Sequence, residues 1–168
     1  MLLINLNQNH VSELHSLIEA NRNYLREWLP WLDNMVATSD TAAFIESISK
    51  PGSAPHFGVF HQGQLCGVAG FHEIQTQASV GSIGYWLAEP YTGKDIISSA
   101  VIKLIELGFS ELKLDKIEIR CAEDNLKSRA VAQRLRFVYQ SRLDDAEWLY
   151  DRYVGHVVYS MLAPKSDV

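Results

Sequence analysis

The longest regular rhythm of apolar positions in this chain lies between Ile97 and Gly108. Ile97, Ala100, Val101, Leu104, Ile105 and Gly108 recur at helical spacing, which predicts an amphipathic helix with one buried face. Val11, Leu14, Leu17 and Ile18 repeat that spacing and predict a helix over Val11–Asn21. Another is expected from about Asp40 to Ser49, with Ser39 or Asp40 as its cap. Asn125–Leu135 reads as a helix opened by its asparagine. Elsewhere the rhythm is that of strands. Met1–Leu6 is a short candidate, and His56–His61 with Gln64–Ile74 forms a hairpin pattern joined at Gln62–Gly63. In Ser79–Ala88, Ile83, Tyr85 and Leu87 fall on one face, while Ser82, Gly84 and Trp86 fall on the other. Lys116–Ala122, Phe137–Ser141, Glu147–Tyr150 and His156–Leu162 complete the candidate strands. A helical N-terminal segment, a meander of strands, then helix, strand, helix and strands predict an α/β domain with one main mixed sheet.

Composition narrows the class without deciding it. At 168 residues, 47% hydrophobic and 21% charged, the chain is sized for one domain with a substantial core, residues 1–168. No apolar run approaches the roughly 20 residues of a membrane span. The opening MLLINLNQNH lacks a basic segment followed by a long apolar one, so a secretory leader is not expected. A cytoplasmic protein without a membrane partner is the expectation. The net charge of −5 is uneven, with seven acids against three bases in residues 1–84 and thirteen against twelve after them. Neither part is basic enough to expect a nucleic-acid face. Cys66 and Cys121 have no metal-ligand spacing and read as reduced, buried thiols.

The stretch that carries chemistry is Tyr91–Ala132. A strand there runs into the loop Thr92-Gly93-Lys94-Asp95, an amphipathic helix follows, and a second helix opens at Asn125 after one intervening strand. Free backbone N–H groups and the helix dipole make such a loop an anion site, so a phosphate-bearing cofactor is expected. The loop is not a P-loop, because Ala88 stands where the first glycine would be and Asp95 follows Lys94 in place of serine or threonine. Gly81-Ser82-Ile83-Gly84 is not a nucleophile elbow. HExxH and CxxC are missing, and His56, His61 and His72 read as half-buried strand residues rather than as a shared metal site; no metal is expected.

Four segments, YLREWLPWLD at Tyr24–Asp33, SIGYWL at Ser82–Leu87, YTGKDI at Tyr91–Ile96 and DNLKSRAVAQRLRF at Asp124–Phe137, together resemble the GNAT-fold N-acetyltransferases, within them the RimJ/RimL branch that acetylates protein N-terminal amines, notably of ribosomal proteins. A fifth, AEWLYDRYVGHVVYSML at Ala146–Leu162, is similar to that family's last hairpin. The resemblance implies a single domain with a mixed central sheet of about seven strands, helices on both faces, and a V-shaped splay between two parallel strands, here Ile83–Leu87 and Ile117–Ala122. It implies acetyl-CoA as cosubstrate. Ile83, Tyr85 and Leu87 would lie along it, and Thr92, Gly93, Lys94, Asp95 and Ile96 would hold its pyrophosphate. Asn125 and Ser128 would stand beside the pantetheine and sulfur, and Lys94 or a base of that helix, Lys127 or Arg129, would assist at the pyrophosphate. By the same resemblance Ser128 is the acid for the departing thiolate and Glu147 the base. Trp28, Trp31 and Asp33 would line the acceptor side. Family members are often homodimers.

The residues themselves also have plainer readings. Asn125 is a good helix cap with Ser128 in the first turn. Glu147 stands among Asp144, Asp145 and Asp151 and reads equally as a surface acid, and Trp28, Pro30 and Trp31 as a core lid. Two places depart from the family pattern. In the phosphate loop Thr92 replaces the usual first residue, Asp95 the central glycine and Ile97 the last small residue, and Arg136 replaces the glycine of the usual Leu-Gly-Phe after the second helix. The expected activity is acetyl transfer to a protein α-amine by direct attack in a ternary complex, since neither cysteine matches a family position for an acyl-enzyme. The alternatives are transfer to a small amine such as a polyamine or aminoglycoside, and a degenerate domain that serves as a binding module.

Overall fold

The computed structural model describes residues 1–164; the last four positions of the expected 1–168 domain lie outside the described residues. Its elements run β1 (Leu2–Ile4), α1 (Val11–Leu25), α2 (Thr38–Ile48), β2 (His56–His61), β3 (Gln64–Gln75), β4 (Val80–Leu87), α3 (Ile96–Ser110), β5 (Lys116–Ala122), α4 (Leu126–Arg134), β6 (Val138–Leu149) and β7 (Arg152–Leu162). The seven strands lie in the order β1-β2-β3-β4-β5-β7-β6. The sheet is mixed: β4 pairs with β5 in parallel, and β5 with β7 and β6 with β7 antiparallel. The α/β class with about seven strands is therefore the one expected.

The chain folds as two compact units whose boundaries fall within β3, β4 and α3. The first comprises Met1–Gly70 with Tyr85–Ala100. Its core gathers Leu14, Ile18 and Leu25 of α1 and Ile45 of α2 with Leu32 and Met35 between the helices, and Phe60, Leu65 and Val68 from β2 and β3. Each of the larger fully buried side chains contributes about 1.5–3 kcal/mol through removal from water. The expected α1 ended at Asn21, but the helix continues to Leu25. Leu25 supplies the next apolar position after Ile18, and Arg22 pairs with Glu19 one turn back. Asp40 is not the cap of α2. The helix begins at Thr38, and the Asp40 carboxylate reaches back to accept from the N–H groups of Val36 and Ala37 at 3.0 and 2.7 Å. Those two donors hold its carboxyl below the usual aspartate range.

The second unit comprises Phe71–Gly84 and residues 101–164. Val101, Leu104, Ile117 and Ile119 are fully buried in it. Gly108 lets α3 come close to β5, since a Cβ there would stand 2.7 Å from Ile117. Arg129 fastens α4 by donating to the Tyr159 hydroxyl at 3.2 Å and to the Glu123 carbonyl at 2.9 Å. One expectation changes in this unit. Phe137–Ser141 and Glu147–Tyr150 are not separate strands but parts of the continuous β6, whose pairing with β7 shifts register between Tyr139 and Ser141 and again between Leu143 and Glu147.

Candidate active site

In the first unit, β4 is followed by a short 3-10 turn at Glu89–Tyr91 and then by the exposed residues Gly93, Lys94 and Asp95. The turn is tied down on both sides. The Glu89 N–H donates to the Asn21 side-chain oxygen of α1 at 3.1 Å, and the Tyr91 hydroxyl donates to Gln64 of β3 at 3.0 Å. Lys94 lies over the Tyr91 ring at 5.8 Å. Gly93 has a φ of 72°, with no heavy atom within 4 Å of where a Cβ would be. Open backbone ahead of a helix N-terminus is a donor set that fits a pyrophosphate. Asp95 is also left-handed, with a φ of 55°. It takes the conformation that a glycine would take freely, and it opens α3 through its carbonyl, which accepts from the Ser99 N–H at 3.1 Å.

Also in this unit, Pro30–Asn34 forms a second 3-10 turn in which only Leu32 is fully buried. Arg22 staples it from α1 by donating to the carbonyls of Leu32 and Met35 at 2.6 and 2.5 Å. Trp28 is half-buried and Trp31 exposed at 38%. Asp33 has a committed partner. Arg26 donates to both of its oxygens, at 2.5 and 2.8 Å, and this fork holds the Asp33 carboxyl below its ordinary range. An amine at Asp33 would have to displace a guanidinium.

In the second unit, the parallel β4–β5 ladder consists of Val80–Ile83 against Lys116–Ile119, and both strands are longer than their ladder. Ile83 is buried. Asn125 caps α4, its side-chain oxygen accepting from the Ser128 N–H at 3.1 Å. That places the half-buried Ser128 in the first turn, with Lys127 exposed beside it. The capping reading of Asn125 is thus correct, and it is compatible with the catalytic one for Ser128, because the cap uses the serine's backbone and not its hydroxyl.

Glu147 has a partner that the sequence did not single out. His156 of β7 lies 2.9 Å away, from Nε2 to Oε2. Their side chains are 17% and 33% exposed, so both are half-buried. The hairpin explains the meeting. Near the turn Leu149 faces Arg152, Trp148 faces Tyr153 and Glu147 faces Val154. Continued without a break, this register would set Asp145 opposite His156. Instead Leu143 is opposite His156, so Asp144, Asp145 and Ala146 bulge out against Gly155 alone. Asp145 takes a left-handed φ of 46° there. The bulge closes over Gly155, where a Cβ would meet Arg142 at 3.1 Å and the Leu143 carbonyl at 3.3 Å. Arg142 braces it through ion pairs to Glu123, at 2.8 Å, and to Asp144. Glu147 and His156 are left as diagonal neighbours on one face, within reach of a long side chain.

Cys66 and Cys121 are free, and burial pushes both thiols up to about 11, far from the thiolate that nucleophilic catalysis needs. Among the described residues no three His, Cys, Asp or Glu side chains gather as a metal site. The His56 ring bonds to the Ala54 carbonyl at 2.9 Å.

The pattern of the acetyltransferase (GNAT) domain matches residues 1–138. The chain belongs to the GNAT acetyltransferase family. This GNAT acetyltransferase is 34% identical over 158 residues, 92% of its length and 88% of the other's, to the ribosomal-protein-serine acetyltransferase of Escherichia coli (strain K12). Among solved structures it is similar to RimL, a ribosomal L7/L12 alpha-N-protein acetyltransferase in complex with coenzyme A, with a TM-score of 0.91 at 27% identity over 96% of this chain and 93% of that one. It is also similar to the Microcin C7 self-immunity acetyltransferase MccE in complex with acetyl-CoA and AMP, with a TM-score of 0.88 at 27% identity over 95% and 91%. Glu147 and His156 lie beyond the 1–138 match, on the last hairpin.

Proposed function

We propose that this GNAT acetyltransferase moves the acetyl group of acetyl-CoA to the N-terminal α-amine of a protein, of the ribosomal-protein type, by direct attack. The observation that carries this reading is the 34% identity to a ribosomal-protein-serine acetyltransferase across 92% of the chain. It is a single domain in this reading, cytoplasmic like the ribosomal substrate, and works as a homodimer, in line with the resemblance to its family.

Each residue then has a defined task. Backbone N–H groups of Thr92, Gly93, Lys94, Asp95 and Ile96 bind the pyrophosphate, and the Lys94 ammonium adds charge. Ile83, Tyr85 and Leu87 present β4 backbone to the pantetheine, and a strand N–H polarises the thioester carbonyl. Trp28, Trp31 and Asp33 flank the acceptor. The α-amine has an ordinary pKa near 8, so a modest base is enough to supply it free at neutral pH. The Glu147 carboxylate takes the proton that the nitrogen loses as the N–C bond forms. The Ser128 hydroxyl gives its proton to the sulfur as the C–S bond breaks, and it recovers one from solvent.

The test is a thiol-release assay with acetyl-CoA and peptides that begin with serine or alanine, beside the same peptides with blocked N-termini and beside polyamines and aminoglycosides. Release with free N-termini alone is expected. Release with the small amines but not the peptides would reassign the acceptor. No release, together with no thermal shift from acetyl-CoA, would make the domain a binding module; a ligand at about 100 times its Kd stabilises by about 2.7 kcal/mol.

A further inference from the structure

Glu147 is the only acid of its hairpin segment that the fold turns away from the bulge and gives a histidine partner. Asp144 pairs with Arg142, and Asp151 with Arg152. A glutamate side chain has three rotatable bonds, so on an exposed strand its carboxylate would sample many positions. His156 removes that freedom. It is half-buried on β7 between Leu143 of β6 and Ala122 of β5, and its ring is therefore held by its neighbours. With hydrogen on Nε2 it donates to Oε2 of Glu147 at 2.9 Å. That bond fixes one oxygen and leaves Oε1 for an incoming amine.

We propose that His156 is a positioning residue for Glu147, holding its carboxylate in the orientation from which it accepts the acceptor's proton. The inference rests on the reading of Glu147 as base. His156 need not touch either substrate. The other charged side chains around His156 are Arg120, which shares its face of β5 and β7, and the Glu123–Arg142–Asp144 ion pairs about Gly155.

The experiment compares His156→Gln, His156→Leu, Glu147→Gln and the Leu/Gln double variant, with thermal melts to confirm folding. His156→Leu should lower kcat about tenfold, within the coupling range of touching residues, with the KM for acetyl-CoA kept within about twofold. His156→Gln keeps an N–H donor and should restore most of kcat. On the Glu147→Gln background, His156→Leu should cost almost nothing further. His156→Ala takes the place of the leucine variant if that one does not fold. Equal losses from His156→Leu on both backgrounds, or no recovery of kcat in His156→Gln, would overturn the role of His156 while leaving that of Glu147 intact. If Glu147→Gln is itself nearly fully active, the base is elsewhere and the proposal for His156 falls with it.

Discussion

The Phe137 N–H donates to the carbonyl of Ala132 at 3.0 Å, which closes α4 with a six-residue ring. Inside it the Arg136 N–H donates to Gln133 at 3.0 Å, and Arg136 itself has a φ of 65°. These two bonds make a Schellman ending, and its left-handed position is normally glycine. The departure from Leu-Gly-Phe has therefore left the turn in place and put a side chain into an unfavourable conformation.

Arg136→Gly should stabilise the protein by about 1 kcal/mol, which at this chain length raises the melting temperature by about 2–4 °C. Thermal or urea melts of the two proteins decide it. An unchanged or lower midpoint would show that the arginine side chain contributes something that offsets its backbone.

Asp95 presents the same conformation ahead of α3, with a charge added. Asp95→Gly relieves a left-handed residue with φ 55° and removes a negative charge from the N-terminal turn of α3, where the proposed pyrophosphate would sit. Acetyl-CoA should bind about two- to fivefold more tightly, the equivalent of the 0.3–1 kcal/mol that a charge is worth at a helix end. Calorimetric titration measures it directly. Equal or weaker binding would place the carboxylate away from the anion or the anion away from this loop.

How far the residues alone predict this arrangement depends on whether each signal is local. The α3 stripe, the Asn125 cap and β5 are set by neighbours within a few positions, and they stand where periodicity puts them. The end of α1 was misplaced because Arg22 interrupts the apolar pattern, although its side chain turns to the carbonyls of Leu32 and Met35. The β6 bulge was invisible for a different reason. Asp144-Asp145-Ala146 looks like a gap between strands, and only pairing with β7 shows the gap being absorbed. His156 was missed with it, since its meeting with Glu147 depends on that register. The Arg26–Asp33 fork spans seven positions across a turn, which no helical spacing reveals.

Trp31 tests the acceptor side. It is 38% exposed on a turn whose anchoring is done by Leu32 and by the Arg22 bonds, so truncation should cost little stability. Trp31→Ala should raise the KM for the peptide several-fold, roughly the 0.5–1.5 kcal/mol of an aromatic contact, while the KM for acetyl-CoA stays nearly constant. Steady-state kinetics with each substrate varied in turn would show this. Equal damage to both constants, or a large drop in melting temperature, would return Trp31 to a structural role.

The proposed catalytic pair, Glu147 and Ser128, can be tested most sharply. Ser82–Leu87 contains no acid, so β4 cannot supply a carboxylate base. Glu147 is half-buried, hydrogen-bonded to His156 and next to a braced bulge. General acid–base catalysis typically contributes about 10²- to 10⁴-fold, and Glu147→Gln should lower turnover by that order with acetyl-CoA affinity kept, since the residue lies in neither the phosphate loop nor the first turn of α4. Ser128→Ala should cost less. The thiolate it would protonate leaves at a pKa of about 8–9, judged from cysteine, and water can protonate it after departure. The alanine also keeps the backbone N–H that Asn125 accepts, so α4 stays capped and the change reads on chemistry. Turnover of Glu147→Gln above about a third of wild type at neutral pH would hand deprotonation of the amine to solvent. A larger loss in Ser128→Ala than in Glu147→Gln would make protonation of sulfur the harder step.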